Sequence, residues 1–185
     1  MKLIPRKQQI NKSRINIICI ATLRNMLSAV LEQKDIFVSV LVTGAHTDSN
    51  LYEIVKKHRH KIGYIIKEYP KTYDDFFEMT KSDYKLSFDE IAEFEHTHLK
   101  VSRFIHRFVL DTNEVDYRYL ISLKFWLGIF NEFKIDYIYS HGLEHGDPSG
   151  SIPYDIAKKK NIPIYELGVE RSVVSYEAYS LKKND

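Results

Sequence analysis

The stretch Ile135–Leu167, IDYIYSHGLEHGDPSGSIPYDIAKKKNIPIYEL, decides the fold of this 185-residue chain. An apolar run over Ile135–Tyr139 has the composition of a buried strand. A polar loop rich in Gly, His and Asp follows it. Ser151–Lys160 is expected to be a helix with Pro153 in its first turn, and Ile162–Leu167 a second strand. Two strands joined through a helix lie parallel in one sheet, connected by a right-handed crossover.

Upstream, Ile15–Ala21 and Ile36–Val42 are short, nearly continuous apolar runs, the pattern of strands covered on both faces. Between them, Leu23–Gln33 sets Leu23, Met26, Leu27, Val30 and Leu31 on one helical stripe. After the polar loop Ala45–Asn50, a helix is expected over Leu51–Lys57, capped by Ser49 or Asn50, and then a third strand over Ile62–Ile66. Residues 68–86 carry Pro70 and Asp74-Asp75 without a clear period, so a loop is expected there, with one helical turn around Phe76–Met79.

Ser87 followed by Glu90 forms a capping box. It opens a long helix in which Ile91, Phe94, Val101, Phe104, Ile105 and Phe108 recur at helical spacing up to about Leu110, with His98 on the same stripe. Asn113 is then expected to cap a helix over Val115–Phe133, with Tyr119, Leu123, Trp126 and Phe130 on its buried side. Alternating strands and helices give an α/β fold, a Rossmann-like, doubly wound, mainly parallel sheet with a long helical hairpin inserted. The expected organisation is one domain over 1–185, with a basic tail at 1–14 and an ambiguous tail at 168–185, where Val173–Tyr179 is the structured candidate.

Composition narrows the class. A content of 44% hydrophobic and 28% charged residues is that of a globular protein and not of a disordered chain. A net charge of +2, from 27 basic and 25 acidic side chains, gives no field that implies nucleic acid. The cluster Lys2, Arg6, Lys7, Lys12 and Arg14 reads as a solvated tail. The single Cys19 cannot form an internal disulfide, and no apolar stretch is long enough to span a bilayer or serve as a secretory signal. A cytoplasmic protein without a membrane span is expected.

In a parallel α/β sheet, ligands bind in the crevice at the carboxyl ends of the strands. Three strand ends converge there in this chain: Ala21-Thr22, the Thr43–His46 segment and the loop Ser140–Ser149. His141 and His145 stand near Glu144, so an imidazole of near-neutral pKa could act as a general base oriented by a carboxylate. His145 is the better candidate, because Gly146 allows a ligand to approach closely. Thr22, His46, Asp147, Ser149, Gly150 and Ser151 are expected to contact the ligand. The start of the helix near Gly150-Ser151 favours a phosphate or carboxylate through its unpaired N–H groups.

Other chemistries find less support. A metal held by His46, His141, His145 and Asp147 matches no zinc spacing, and no metal or cofactor is expected. Neither a G-x-G-x-x-G after the first strand nor a G-x-x-x-x-G-K-[ST] is present, so the dinucleotide and P-loop fingerprints are missing. Asp136 and Glu166 read as structural.

These residues carry a resemblance. Tyr154, Ala157 and Lys158 on a helix, the following Ile162-Pro163 strand and the preceding stretch VDYRYLISLKFWLGIFNEFK resemble the amino-terminal domain of capsular or surface polysaccharide biosynthesis proteins, over most of residues 87–167. A weaker similarity is to the UDP-N-acetylglucosamine 2-epimerases, through LVTGAH at Leu41–His46 and the segment from Tyr139-Ser140-His141-Gly142 to NIPIYELGVERS. Two features depart from the epimerases. ATLRN at Ala21–Asn25 replaces their Gly-Thr-Arg-Pro-Glu run, and Leu143 stands where an Asp should follow His141-Gly142.

Both families have a two-domain, glycosyltransferase-B-like fold that binds the nucleotide-sugar donor mainly in the carboxyl-terminal domain. The resemblance therefore implies a sugar- or sugar-nucleotide-handling first half, glycosyltransferase-like or epimerase-like, that is incomplete without a second donor-binding domain or chain. A non-catalytic partner subunit is the alternative.

Overall fold

A computed structural model describes residues 14–20, 24–43, 49–67, 76–140, 147–168 and 180–184. Six strands form one sheet: β1 (Ile15–Ile20), β2 (Ile36–Thr43), β3 (Ile62–Lys67), β4 (Tyr137–Ser140), β5 (Ile164–Gly168) and β6 (Ser180–Asn184). Their spatial order is β3-β2-β1-β4-β5-β6. The first five run parallel, and β6 pairs antiparallel with β5. This is the Rossmann-like α/β arrangement expected from the alternation of elements.

The parallel strands are apolar on both sides because helices cover both faces. On one face, α1 (Arg24–Glu32) and α2 (Ser49–Lys57) bring Leu27, Leu31, Leu51 and Val55 against Ile17, Cys19 and Leu41. On the other, α5 (Glu95–Ile105), α6 (Thr112–Glu132) and α7 (Pro148–Lys159) bring Val101, Trp126 and Ile152 against Ile18, Ile20 and Val42. The short helices α3 (Phe77–Thr80) and α4 (Phe88–Glu93) precede α5. α3 falls where a single helical turn was expected.

Strand β2 changes face midway. Val38 packs on the α1–α2 side, whereas Val40, two residues on, packs on the α5–α7 side. The cause is a register shift in which Ile17 pairs Val38 but Ile18 pairs Val40, so that Ser39 is the extra residue of a bulge. Gly63 on β3 accommodates it, since a Cβ there would lie 2.5 Å from the Ser39 carbonyl oxygen.

Several boundaries differ from the sequence expectation for identifiable reasons. The single helix expected from Ser87 to about Leu110 is two. The capping box at Ser87 and Glu90 opens α4 as expected, but the helix breaks at Phe94, whose carbonyl accepts from both the His98 N–H (2.9 Å) and the Tyr119 hydroxyl (2.9 Å). α5 ends at Ile105, and Phe108, expected on the buried stripe, is exposed. His98 is half-buried, with Nε2 2.8 Å from Asp116 Oδ1 and its ring against Tyr119. α6 is capped by Asp111, whose Oδ1 accepts from the Glu114 N–H at 3.0 Å, so Asn113 lies in the first turn.

Ser49 and Asn50, expected as caps, are the first residues of α2. α7 begins at Pro148 rather than Ser151. Pro148 costs nothing at the first position, where the N–H has no helical partner, and Pro153 therefore lies within the helix. β4 starts two residues late because Asp136 is engaged with Asn16: the Asn16 N–H donates to the Asp136 carboxylate and the Asp136 N–H to the Asn16 carbonyl, both at 2.8 Å. β6 was not anticipated, since SLKKN has no apolar alternation, and Val173–Tyr179 lies outside the described residues. Among the described residues, no helix is long and apolar enough to cross a membrane.

Candidate functional site

The strand order reverses between β1 and β4, both of which pair in the middle of the sheet. At such a switch point the connections leave toward opposite faces and open a crevice at the carboxyl edge. The last register row at that edge runs Ile66, Val42, Ile20, Ser140, Glu166 across β3, β2, β1, β4 and β5. The row is apolar on the β1–β3 side and polar on the β4–β5 side. Ser140, fully buried, is the last residue of β4. Sequence reading passed over Ser140, whose only signal is its place as the last strand residue.

Five expected site residues, Thr22, His46, His141, Glu144 and His145, lie outside the described residues. The other four, Asp147, Ser149, Gly150 and Ser151, come together at the first turn of α7, and all are buried. The Asp147 carbonyl accepts from the N–H groups of Gly150 (3.2 Å) and Ser151 (2.7 Å), and the Ser149 hydroxyl donates to the Asp147 carboxylate. The indole N–H of Trp126 donates to the Pro148 carbonyl at 3.2 Å, which ties this turn to the middle of α6.

This geometry modifies the anion expectation. Asp147, 1% exposed, already sets a carboxylate at the positive end of the α7 dipole, and a phosphate beside it would meet like-charge repulsion. A buried carboxylate hydrogen-bonded to a hydroxyl is instead suited to accept from neutral hydroxyl groups. On the α1–α2 face, β4 and β5 carry Tyr137 and Tyr139, both phenols pushed up by burial first, and Tyr165 packs edge-on against Tyr137 at 5.4 Å.

A second polar cluster lies between α5 and α7, around a shallow depression of about 360 Å³ lined by Glu93, Phe94, His96, Thr97, Asp155 and the lysines at the end of α7. Its charges are matched within the fold. Asp155 accepts from Thr97 (2.8 Å) and Lys100 (2.7 Å), and Lys159 pairs with Glu93 at 2.7 Å. The cluster clamps α7 to α5 and stands away from the strand ends. Among the described residues, no group of three or more His, Cys, Asp or Glu side chains is placed to hold a metal ion.

No family model, curated protein or solved structure matches the chain.

Proposed function

We propose that the chain is a sugar- or sugar-nucleotide-handling domain of surface (capsular) polysaccharide biosynthesis, a glycosyltransferase-like amino-terminal half that works in the cytoplasm with a second, donor-binding domain or chain. The observation that carries this reading is the reversal of strand order between β1 and β4, with Ser140 at the end of β4 and Asp147–Ser151 at the start of α7 flanking the crevice it creates. The buried Asp147–Ser149 pair supports a ligand rich in hydroxyls. The Tyr154, Ala157, Lys158 and Ile162-Pro163 motif of α7 and β5 supports the polysaccharide class. In this reading His145 is the general base, Glu144 orients it and His141 contacts the ligand.

Calorimetric titration of a UDP-sugar panel into the wild type and His145→Ala tests it. The wild type should bind at least one member, with affinity falling about tenfold or more in the variant, the value of one hydrogen bond to a polar ligand. A wild type that binds none of a broad panel sinks the reading. The alternative of a non-catalytic partner subunit draws on the enclosure of Asp147 and Ser149, and it expects turnover only after a donor-binding chain is added.

A further inference from the structure

Five parallel strands all begin at one edge of the sheet, so the residues that lead into them share one rim. That rim is basic at every strand. Arg14 leads into β1, Lys34 into β2, the run Lys56–Lys61 (KKHRHK) into β3, Lys134 into β4 and Lys158–Lys160 into β5. The acidic side chains adjoining these entries are Glu32, Asp35, Glu132, Asp136, Glu93 and Glu90, of which Asp136 is engaged by the Asn16 N–H, Glu132 by the Tyr64 hydroxyl and Glu93 by Lys159. The thirteen residues before Arg14 add Lys2, Arg6, Lys7 and Lys12 and no acidic residue to the chain entering β1.

Helix ends explain part of this excess, because lysines in a last turn offset the helix dipole. The run Lys56–Lys61, four lysine or arginine side chains and two histidines, exceeds that need. Within the run, Arg59 and Lys61 have local duties: Arg59 donates to the Ile62 and Gly63 carbonyls, and Lys61 Nζ donates to the Leu31 and Gln33 carbonyls, both at 2.7 Å, at the end of α1. Lys56 and Lys57, in the last turn of α2, and His60 are exposed. The His58 imidazole is held below its ordinary range by burial first and then by Lys57, Lys61 and His60, with Glu32 opposing.

We propose that this rim is a docking surface for an anionic phospholipid bilayer, with the run Lys56–Lys61 at its centre. Five strand entries at roughly 4.8 Å spacing make a broad row of charge about 20 Å long, which fits a planar surface better than a groove. Nucleic-acid binding of the same strength calls for stacking aromatics or an element that enters a groove, and among the described residues Ile15 is the one exposed large apolar side chain at a strand entry. Attachment is therefore electrostatic, without insertion, and salt reverses it. The inference is independent of the sugar reading, since it concerns the edge opposite the crevice.

Co-sedimentation with vesicles of mixed phosphatidylglycerol and phosphatidylcholine, against phosphatidylcholine alone, tests the proposal. The wild type should bind the anionic vesicles at low salt, bind the neutral ones negligibly, and be released as salt rises. The triple variant Lys56→Gln, Lys57→Gln, His60→Gln leaves Arg59 and Lys61 in place, so the fold is kept, as circular dichroism can verify. Its vesicle affinity should fall roughly 20-fold, at about fivefold per lysine near an anionic surface. Arg103→Gln, a basic residue of α5 outside this rim, should leave binding unchanged. The proposal is overturned by equal binding to neutral vesicles, by no binding to anionic ones, by a triple variant that binds as the wild type does, or by displacement from vesicles at substoichiometric nucleic acid.

Discussion

The α5–α7 face of the sheet and the α1–α2 face meet the same kind of apolar strand residue, yet they are closed differently. The α5–α7 face buries Trp126, Tyr119, Phe76 and Phe125 and is laced by hydrogen bonds from Trp126 to Pro148, from Tyr119 to Phe94, and from Thr97 and Lys100 to Asp155. The α1–α2 face is two nine-residue helices packing small aliphatic side chains, with Lys61 reaching across to the end of α1. The thick face holds α7, the helix that opens onto the strand-order switch. Behind that switch point, α6 fixes the first turn of α7 through the Trp126–Pro148 bond.

The sharpest way to break this contrast is a pair of truncations. Trp126→Ala removes the largest fully buried side chain together with the bond that pins Pro148, and urea unfolding should show a loss of about 3–5 kcal/mol. Leu51→Ala on the thin face should cost about 2 kcal/mol, the low end for such a change. Equal losses would remove the distinction between the faces. Trp126→Phe separates packing from hydrogen bonding and should cost about 1–2 kcal/mol, since the Pro148 carbonyl loses its donor.

A smaller effect probes how α4 joins the thick face. Glu90 accepts from the Ser87 N–H (2.8 Å), the Ser87 hydroxyl (2.8 Å) and the Tyr84 hydroxyl. Burial by itself would raise the Glu90 carboxyl, but the bonds from Tyr84 and Ser87, with Lys160 nearby, outweigh it and hold the group below its usual range. The Tyr84 phenol is pushed up to about 12, chiefly by its bond to Glu90 and then by burial. The signs follow from linkage. The depressed Glu90 contributes stability above the unfolded carboxylate pKa of about 4.3, lost as pH falls through its lower folded value, and the raised Tyr84 contributes stability below about 10, lost as pH climbs toward the folded value. Glu90→Gln should bring the tyrosinate absorbance transition of Tyr84 back toward pH 10 while keeping the helix cap, since a glutamine at that position still accepts from Ser87. A Tyr84 titration that does not move would assign its shift to burial.

The smallest effect lies in the shared layer between the faces. The Ser39 hydroxyl, fully buried at the β2 bulge, has no hydrogen-bond partner among the described residues. Ser39→Ala should therefore be neutral or stabilising by up to about 1 kcal/mol in thermal unfolding, because an unsatisfied buried hydroxyl is removed. A clear destabilisation would show that the hydroxyl is satisfied after all.

Much of the fold was legible from local pattern. The apolar runs of β1, β2 and β3, the stripe of α1, and the capping box of Ser87 and Glu90 all sit within two residues of expectation, because burial periodicity and capping are properties of neighbouring residues. The break at Phe94 was not legible, since the apolar spacing of the stripe continues through it. At the break the Phe94 carbonyl also accepts from the Tyr119 hydroxyl, twenty-five positions on in α6. At the candidate site, the sequence picked out Asp147, Ser149, Gly150 and Ser151 as one group but gave no sign that all would be buried. Trp126, twenty-two positions before Pro148, bonds to this turn from α6, a contact between residues distant in sequence.

By itself the sequence determined the five parallel strands and most of the helices, because each of those outcomes follows from side-chain period, Pro and Gly placement and the length of the connections. Only the tertiary structure decided that β1 and β4 lie side by side at the centre, that SLKKN closes the sheet as an antiparallel edge, and that a ring of basic residues gathers along one rim. Those outcomes depend on hydrogen bonds and charges between residues far apart in the chain, which no local window contains.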